Sequence, residues 1–96
     1  MCGIAGTLIC GTPSIRQLDD IRIIFTNNLL ANEERGKEAT GVATINQSGD
    51  YTVFKQPCPA RVFVKTRSYR RFLTDAVTPE TTIILGHTRL PTKGDP

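Results

Sequence analysis

The chemistry of this chain begins at its second residue. Cys2 follows the initiator Met1, and removal of that Met, which a small next residue permits, leaves Cys2 with a thiol and a free α-amino group. Such an amine titrates at about 8 and serves as a base near neutral pH. One residue then supplies both nucleophile and proton acceptor, and no His partner is required. A Met-Cys start is equally compatible with a buried small cysteine, so the reading depends on two further segments.

The first is Arg35-Gly36-Lys37-Glu38-Ala39-Thr40-Gly41. Its two glycines permit close backbone approach and free amides to face a ligand, although alone it is an ordinary helix stop. The second is Gly86-His87-Thr88-Arg89, followed by Leu90-Pro91-Thr92. It ends an apolar run, where binding residues often lie, and Arg89 can clamp a carboxylate through two parallel hydrogen bonds. Alone it is a surface arginine.

The elements that must position these residues follow from pattern and punctuation. Cys2 to Cys10 is short, apolar and broken by glycines, which predicts a buried strand with Cys2, Ile4, Gly6, Leu8 and Cys10 on one side. Ser14 is a helix N-cap. Leu18, Ile21, Phe25 and Leu29 then form a helical stripe, with Asp19 and Asp20 toward the positive end of its dipole. Ile23, Ile24 and Leu30 fall off the stripe, which predicts contact with more than one layer. Arg35 and Gly36 close the helix, with Gly36 as a left-handed cap. Gly41 to Ile45 and Tyr51 to Lys55 read as strands around the turn 47–50. Tyr69, Phe72, Leu73 and Ala76 mark a second helix, its outer side carrying Arg67, Arg70 and Arg71. Thr81 to His87 is a last strand, and residues 88–96 read as loop. Strands running between helices predict an α+β fold.

Composition bounds the partners. The 96 residues suit one small domain or part of a larger one, and the net charge of +3 demands neither nucleic acid nor membrane. The three arginines oppose an apolar helix face and lack interleaved aromatics, which favours a solvated surface over single-strand binding. No signal peptide or apolar span is evident, so a cytoplasmic protein is expected. Three cysteines without an export signal argue against a disulfide framework, and one His completes no zinc set. Cys10 is expected in the core and Cys58, between two prolines, in a loop. His87 suggests a Cys–His dyad, but a structural place on its strand is the better reading.

Taken together, Cys-Gly-Ile-Ala-Gly behind Met1, the Arg-Gly turn and Gly-His-Thr-Arg resemble the class II glutamine amidotransferases, the family that includes glucosamine-6-phosphate synthase and amidophosphoribosyltransferase. The resemblance spans Cys2 to Pro96. It implies the N-terminal-nucleophile fold, an αββα four-layer sandwich of two antiparallel sheets between helical layers, of which residues 1–96 would be the N-terminal part. It implies that Cys2 attacks the side-chain amide of glutamine, releasing ammonia and then glutamate through a thioester. Arg35 matches the arginine that organises the nucleophile end. Arg89 matches the one holding the glutamine α-carboxylate, and Thr92 a neighbouring residue of the glutamine pocket.

No cofactor is implied. The implied partners are glutamine and a synthase or acceptor domain that follows in the full gene product. The family's oxyanion-forming Asn-Gly pair and the Asp that binds the substrate amine have no match before Pro96. Glu38 departs from a common Asp, and Leu90, Pro91 and Lys93 depart from the usual pocket lining. Two other readings share the same fold: a non-catalytic binding remnant, and an N-terminal-nucleophile hydrolase for another amide.

Overall fold

A computed structural model describes residues 2–90. Its elements are β1 (Gly3–Leu8), α1 (Ile15–Ala31), a 3₁₀ turn (Glu33–Arg35), β2 (Ala39–Asn46), β3 (Tyr51–Gln56), α2 (Ala60–Phe63), α3 (Arg67–Ala76) and β4 (Thr81–Arg89). The strands form one antiparallel sheet in the order β1-β4-β2-β3. The described residues thus make an α+β domain of two layers, one sheet and the helices on one of its faces.

Strand alternation divides the sheet residues cleanly. One face carries Ala5, Val42 and Ile84, which are buried, and Phe54, which is partly so. Against them lie Leu18, Phe25 and Leu29 of α1, Phe63 of α2, and Tyr69 and Phe72 of α3. Each fully buried large side chain of this kind contributes ~1.5–3 kcal/mol relative to exposure. Helix α1 sits directly on Gly86, where a β-carbon would come within 2.7 Å of Leu29 Cδ1 and 3.0 Å of Phe25 Cζ. The aromatic rings of Phe54, Phe63, Tyr69 and Phe72 form a closed cycle of contacts at centroid separations of 5.2–6.5 Å, three pairs stacked and Phe63–Tyr69 tilted by 54°.

Local chemistry sets the helix ends. Ser14 Oγ accepts from the backbone N–H of Gln17 (3.2 Å), and Gln17 Oε1 accepts from the N–H of Ser14 (2.8 Å), a reciprocal capping box. Thr66 caps α3 by accepting from the N–H of Tyr69. Arg22 ties α1 to the far end of α3, its guanidinium donating to the carbonyls of Leu73 (2.9 Å) and Val77 (2.7 Å).

Several expectations need correction. β1 ends at Leu8, and Cys10 is exposed rather than in the core. The helices cover one face of the sheet, so only one side of β1 is buried; Ile4 and Leu8 are 72% and 73% exposed on the other. Asp19 and Asp20 lie beyond the first turn of α1. Ile23 and Ile24 are exposed, with no second layer over them among the described residues. β4 runs on through Thr88 and Arg89, because β2 continues to pair with it there. The short helix α2 was not anticipated at all.

Candidate functional site

The face of the sheet away from the helices is open, and its residues change character along the strands. Leu8, Ile83, Ile45 and Tyr51 form one row across it; Gly6, Leu85, Ala43 and Val53 form the next. The third row is Ile4, His87, Gly41 and Lys55, and beyond it Arg89 stands opposite Ala39. Cys2 directly precedes Gly3, which pairs with Thr88, and Arg89 directly follows Thr88. Continued by one residue, that register sets Cys2 opposite Arg89 on the same face, where side chains on adjacent strands are ~5 Å apart at their β-carbons. Two rows are therefore almost wholly apolar, and the polar groups gather at the Cys2 end.

The covered face beneath that end is packed without slack. Thr88 is fully buried, and its hydroxyl donates to the carbonyl of Asn32 at 2.8 Å. A β-carbon on Gly3 would lie 2.6 Å from Thr88 Oγ1 and 2.8 Å from Asn32 Oδ1. A β-carbon on Gly36 would overlap the backbone N and C of Arg89. The N–H of Glu38 donates to the Arg89 carbonyl at 2.9 Å. Cys2 and Arg35 are each one residue from one of these contacts, and the Arg89 backbone takes part in two of them.

This places the predicted residues as follows. Cys2, Arg35 and Arg89 are all exposed and lie at the same end of the sheet. Arg35 closes the 3₁₀ turn, its N–H donating to the Asn32 carbonyl at 3.0 Å. Thr92 lies outside the described residues. Gly36 is not a left-handed cap: its φ is −173° and ψ 119°, an extended conformation. A glycine stands there because the backbone of Arg89 leaves no room for a side chain, a constraint from a distant strand.

Sequence reasoning missed Gly3, Asn32, Thr88 and Lys55. For Lys55 there was a signal: it shares the alternation of Tyr51 and Val53, so a charge falls on an otherwise apolar face. A recess of about 220 Å³ lies here, lined by Ala39, Thr40, Gly41, Lys55, His87 and Arg89.

Below the turn, Glu33 accepts from the Arg61 backbone N–H (2.7 Å) and guanidinium (3.0 Å), anchoring the turn to α2. The Arg61 backbone hydrogen bond, above all, holds the Glu33 carboxyl below its ordinary range; partial desolvation opposes it, and the Arg61 and Lys37 charges add to the lowering. All three cysteines are free thiols, and burial pushes that of Cys58 up. Among the described residues no three His, Cys, Asp or Glu side chains gather to hold a metal ion. Nor is any helix among them long and apolar enough to cross a membrane.

No protein-family model matches the chain, and no curated protein is found similar to it. Among solved structures, the fold is similar to that of a chain in the complex of beta-clamp processivity factor and little finger domain of PolIV. The TM-score is 0.61 at 8% sequence identity, over 100% of this chain and 94% of that chain. At that identity the likeness is one of fold: a single sheet with helices on one side.

Proposed function

We propose that this chain is the nucleophile-bearing part of a class II glutamine amidotransferase, which hydrolyses the glutamine side-chain amide and passes the ammonia to an acceptor bound by another domain. The observation that carries the reading is the juxtaposition of Cys2 and Arg89 at one end of one sheet face. In this reading Cys2 is the nucleophile and Arg89 the carboxylate clamp, and the β1–β4 register continued by one residue from Gly3–Thr88 supports it, with Arg35 in the turn at the same end.

In this reading the α-amine of mature Cys2 takes the thiol proton as sulfur attacks the amide carbon. The resulting oxyanion requires preorganised donors. The amine then gives its proton to the leaving nitrogen, the C–N bond breaks, and ammonia departs from a γ-glutamyl thioester. Water attacks the thioester, its proton passes through the same amine, and glutamate leaves with the thiol restored. Arg89 holds the substrate α-carboxylate throughout, and Arg35 with Thr92 completes the site. The protein works in the cytoplasm, without cofactor, nucleic acid or membrane.

The apolar half of the open face supports the companion proposal about fold. Leu8, Tyr51, Val53 and Leu85 are 73%, 74%, 59% and 43% exposed there. An apolar surface spread over four strands is unusual for a domain that stands alone. A second antiparallel sheet packed ~10 Å above it would bury these rows and complete an αββα sandwich, leaving the Cys2 end open.

The test is intact-mass analysis of the full-length protein after exposure to a glutamine-mimicking diazoketone. We expect a mass lacking Met1 and carrying one adduct, mapped to Cys2. Retention of Met1 in protein that hydrolyses glutamine would overturn the mechanism. Absence of both adduct and glutamate release would favour the non-catalytic reading.

A further inference from the structure

The third row of the open face holds a charge that the reaction above does not use. Lys55 on the edge strand β3 and His87 on β4 flank Gly41 of β2. With strands ~4.8 Å apart, the backbones of Lys55 and His87 stand roughly 10 Å from each other across a residue that has no side chain. That gap is the floor of the recess which Lys55 and Arg89 both line. Its width is set by Gly41, where a β-carbon would come within 3.3 Å of Lys55 Cβ.

A lysine on an edge strand has a common explanation: it discourages pairing with another sheet. That role does not require it to face the same recess as Arg89. Neither Lys55 nor Arg89 takes part in an ion pair among the described residues. Two unneutralised cations at one recess repel each other, and both gain when an anion enters. The two are also complementary, since guanidinium offers a planar fork and ammonium a mobile point charge on a flexible stem.

The geometry points to Lys55 as a second cation of the substrate-carboxylate subsite, a specificity-determining residue that acts with Arg89. This rests on the reading of Arg89 as the clamp for an amino-acid α-carboxylate. In it, Lys55 favours ligands with a free α-carboxylate over those in which that group is amidated.

The test uses binding rather than turnover, so it does not depend on Cys2. L-Glutamate and its α-amide are titrated by calorimetry into full-length protein, wild type, Lys55→Met and Lys55→Arg. Lys55 is exposed on an edge strand, and unchanged thermal melting of each variant checks that the fold is retained. We expect Lys55→Met to bind glutamate about tenfold more weakly, with little change for the α-amide, and Lys55→Arg to stay within about threefold of wild type.

Equal affinity of wild type and Lys55→Met for glutamate overturns the proposal. So does an equal loss for both ligands, or wild-type protein that binds no glutamate. Protein that binds glutamate in the expected pattern but never hydrolyses glutamine counts against the amidotransferase reading and leaves Lys55 supported.

Discussion

Gly36 and Arg89, fifty-three positions apart in the chain, lie backbone to backbone, so close that no β-carbon fits on Gly36. The contact fixes the turn that carries Arg35 against the strand that carries Arg89. Replacement of Gly36 by Ala must displace one of the two backbones. We expect Gly36→Ala to cost ~2–3 kcal/mol in urea unfolding. Gly6→Ala, whose β-carbon would first meet Leu85 Cδ2 at 3.6 Å, should change stability by less than ~1 kcal/mol. Equal costs would mean that the close approach does not constrain the fold.

Thr88 joins the same end through a hydroxyl rather than through backbone contact. Its Oγ1 donates to the Asn32 carbonyl, which also accepts from the Arg35 N–H. Thr88→Val keeps the shape and removes the donor. It should cost ~1 kcal/mol and speed hydrogen exchange at the Arg35 and Glu38 amides before any global opening. Unchanged exchange at those two amides would show that the hydroxyl does not hold the turn.

The Glu33–Arg61 contact gives a pH dependence with a definite sign. The Glu33 carboxyl is held below the usual carboxylate range in the folded protein, above all by the Arg61 backbone hydrogen bond. Its contribution is therefore fully present above the unfolded pKa and is lost as pH falls through the folded one. The Arg61 side chain is 62% exposed, so the amount is small, below ~1 kcal/mol. Denaturation from pH 6 down to ~3 should show Glu33→Gln converging with wild type as acidity increases. A gap that stayed constant over that range would contradict the assignment.

The three thiols should separate by reactivity. Cys2 and Cys10 are exposed, whereas Cys58 is partly buried with its thiol pushed up by desolvation. A neutral alkylating agent at pH 7.5, followed by peptide mapping, should modify Cys58 last. Early modification of Cys58 would show that its loop opens readily.

How much of this the chain announced depends on whether the cause was local. The Ser14 cap, the stripe of Leu18, Phe25 and Leu29, and the hairpin at 47–50 rest on neighbours in sequence, and they appear where periodicity put them. The side of β1 shared by Cys2, Ile4 and Leu8 was also legible. That this side is the uncovered one was not, since alternation separates faces without telling which is covered.

Gly36 was misread for the same reason. A glycine after a helix suggests a left-handed cap, and only the distant Arg89 backbone explains why it is extended instead. Thr88 and Arg89 read as loop beyond the apolar run, yet the pairing with β2 carries the strand on to Arg89. Of the candidate site, Cys2, Arg35 and Arg89 were named from sequence and do lie at one end of the sheet. Lys55 was not named, because its meaning depends on the row it shares with His87 and Gly41.

In the proposed mechanism the sulfur and amine of one terminal residue do the chemistry together. The direct measurement is glutamate release from glutamine by full-length protein, compared with the same protein bearing one additional residue that remains in front of Cys2. The thiol is kept, but its adjacent amine becomes an amide nitrogen that cannot take a proton. We predict that turnover falls by at least about 10² while melting is unchanged. Equal turnover by the two proteins would rule out the α-amine of Cys2 as the base.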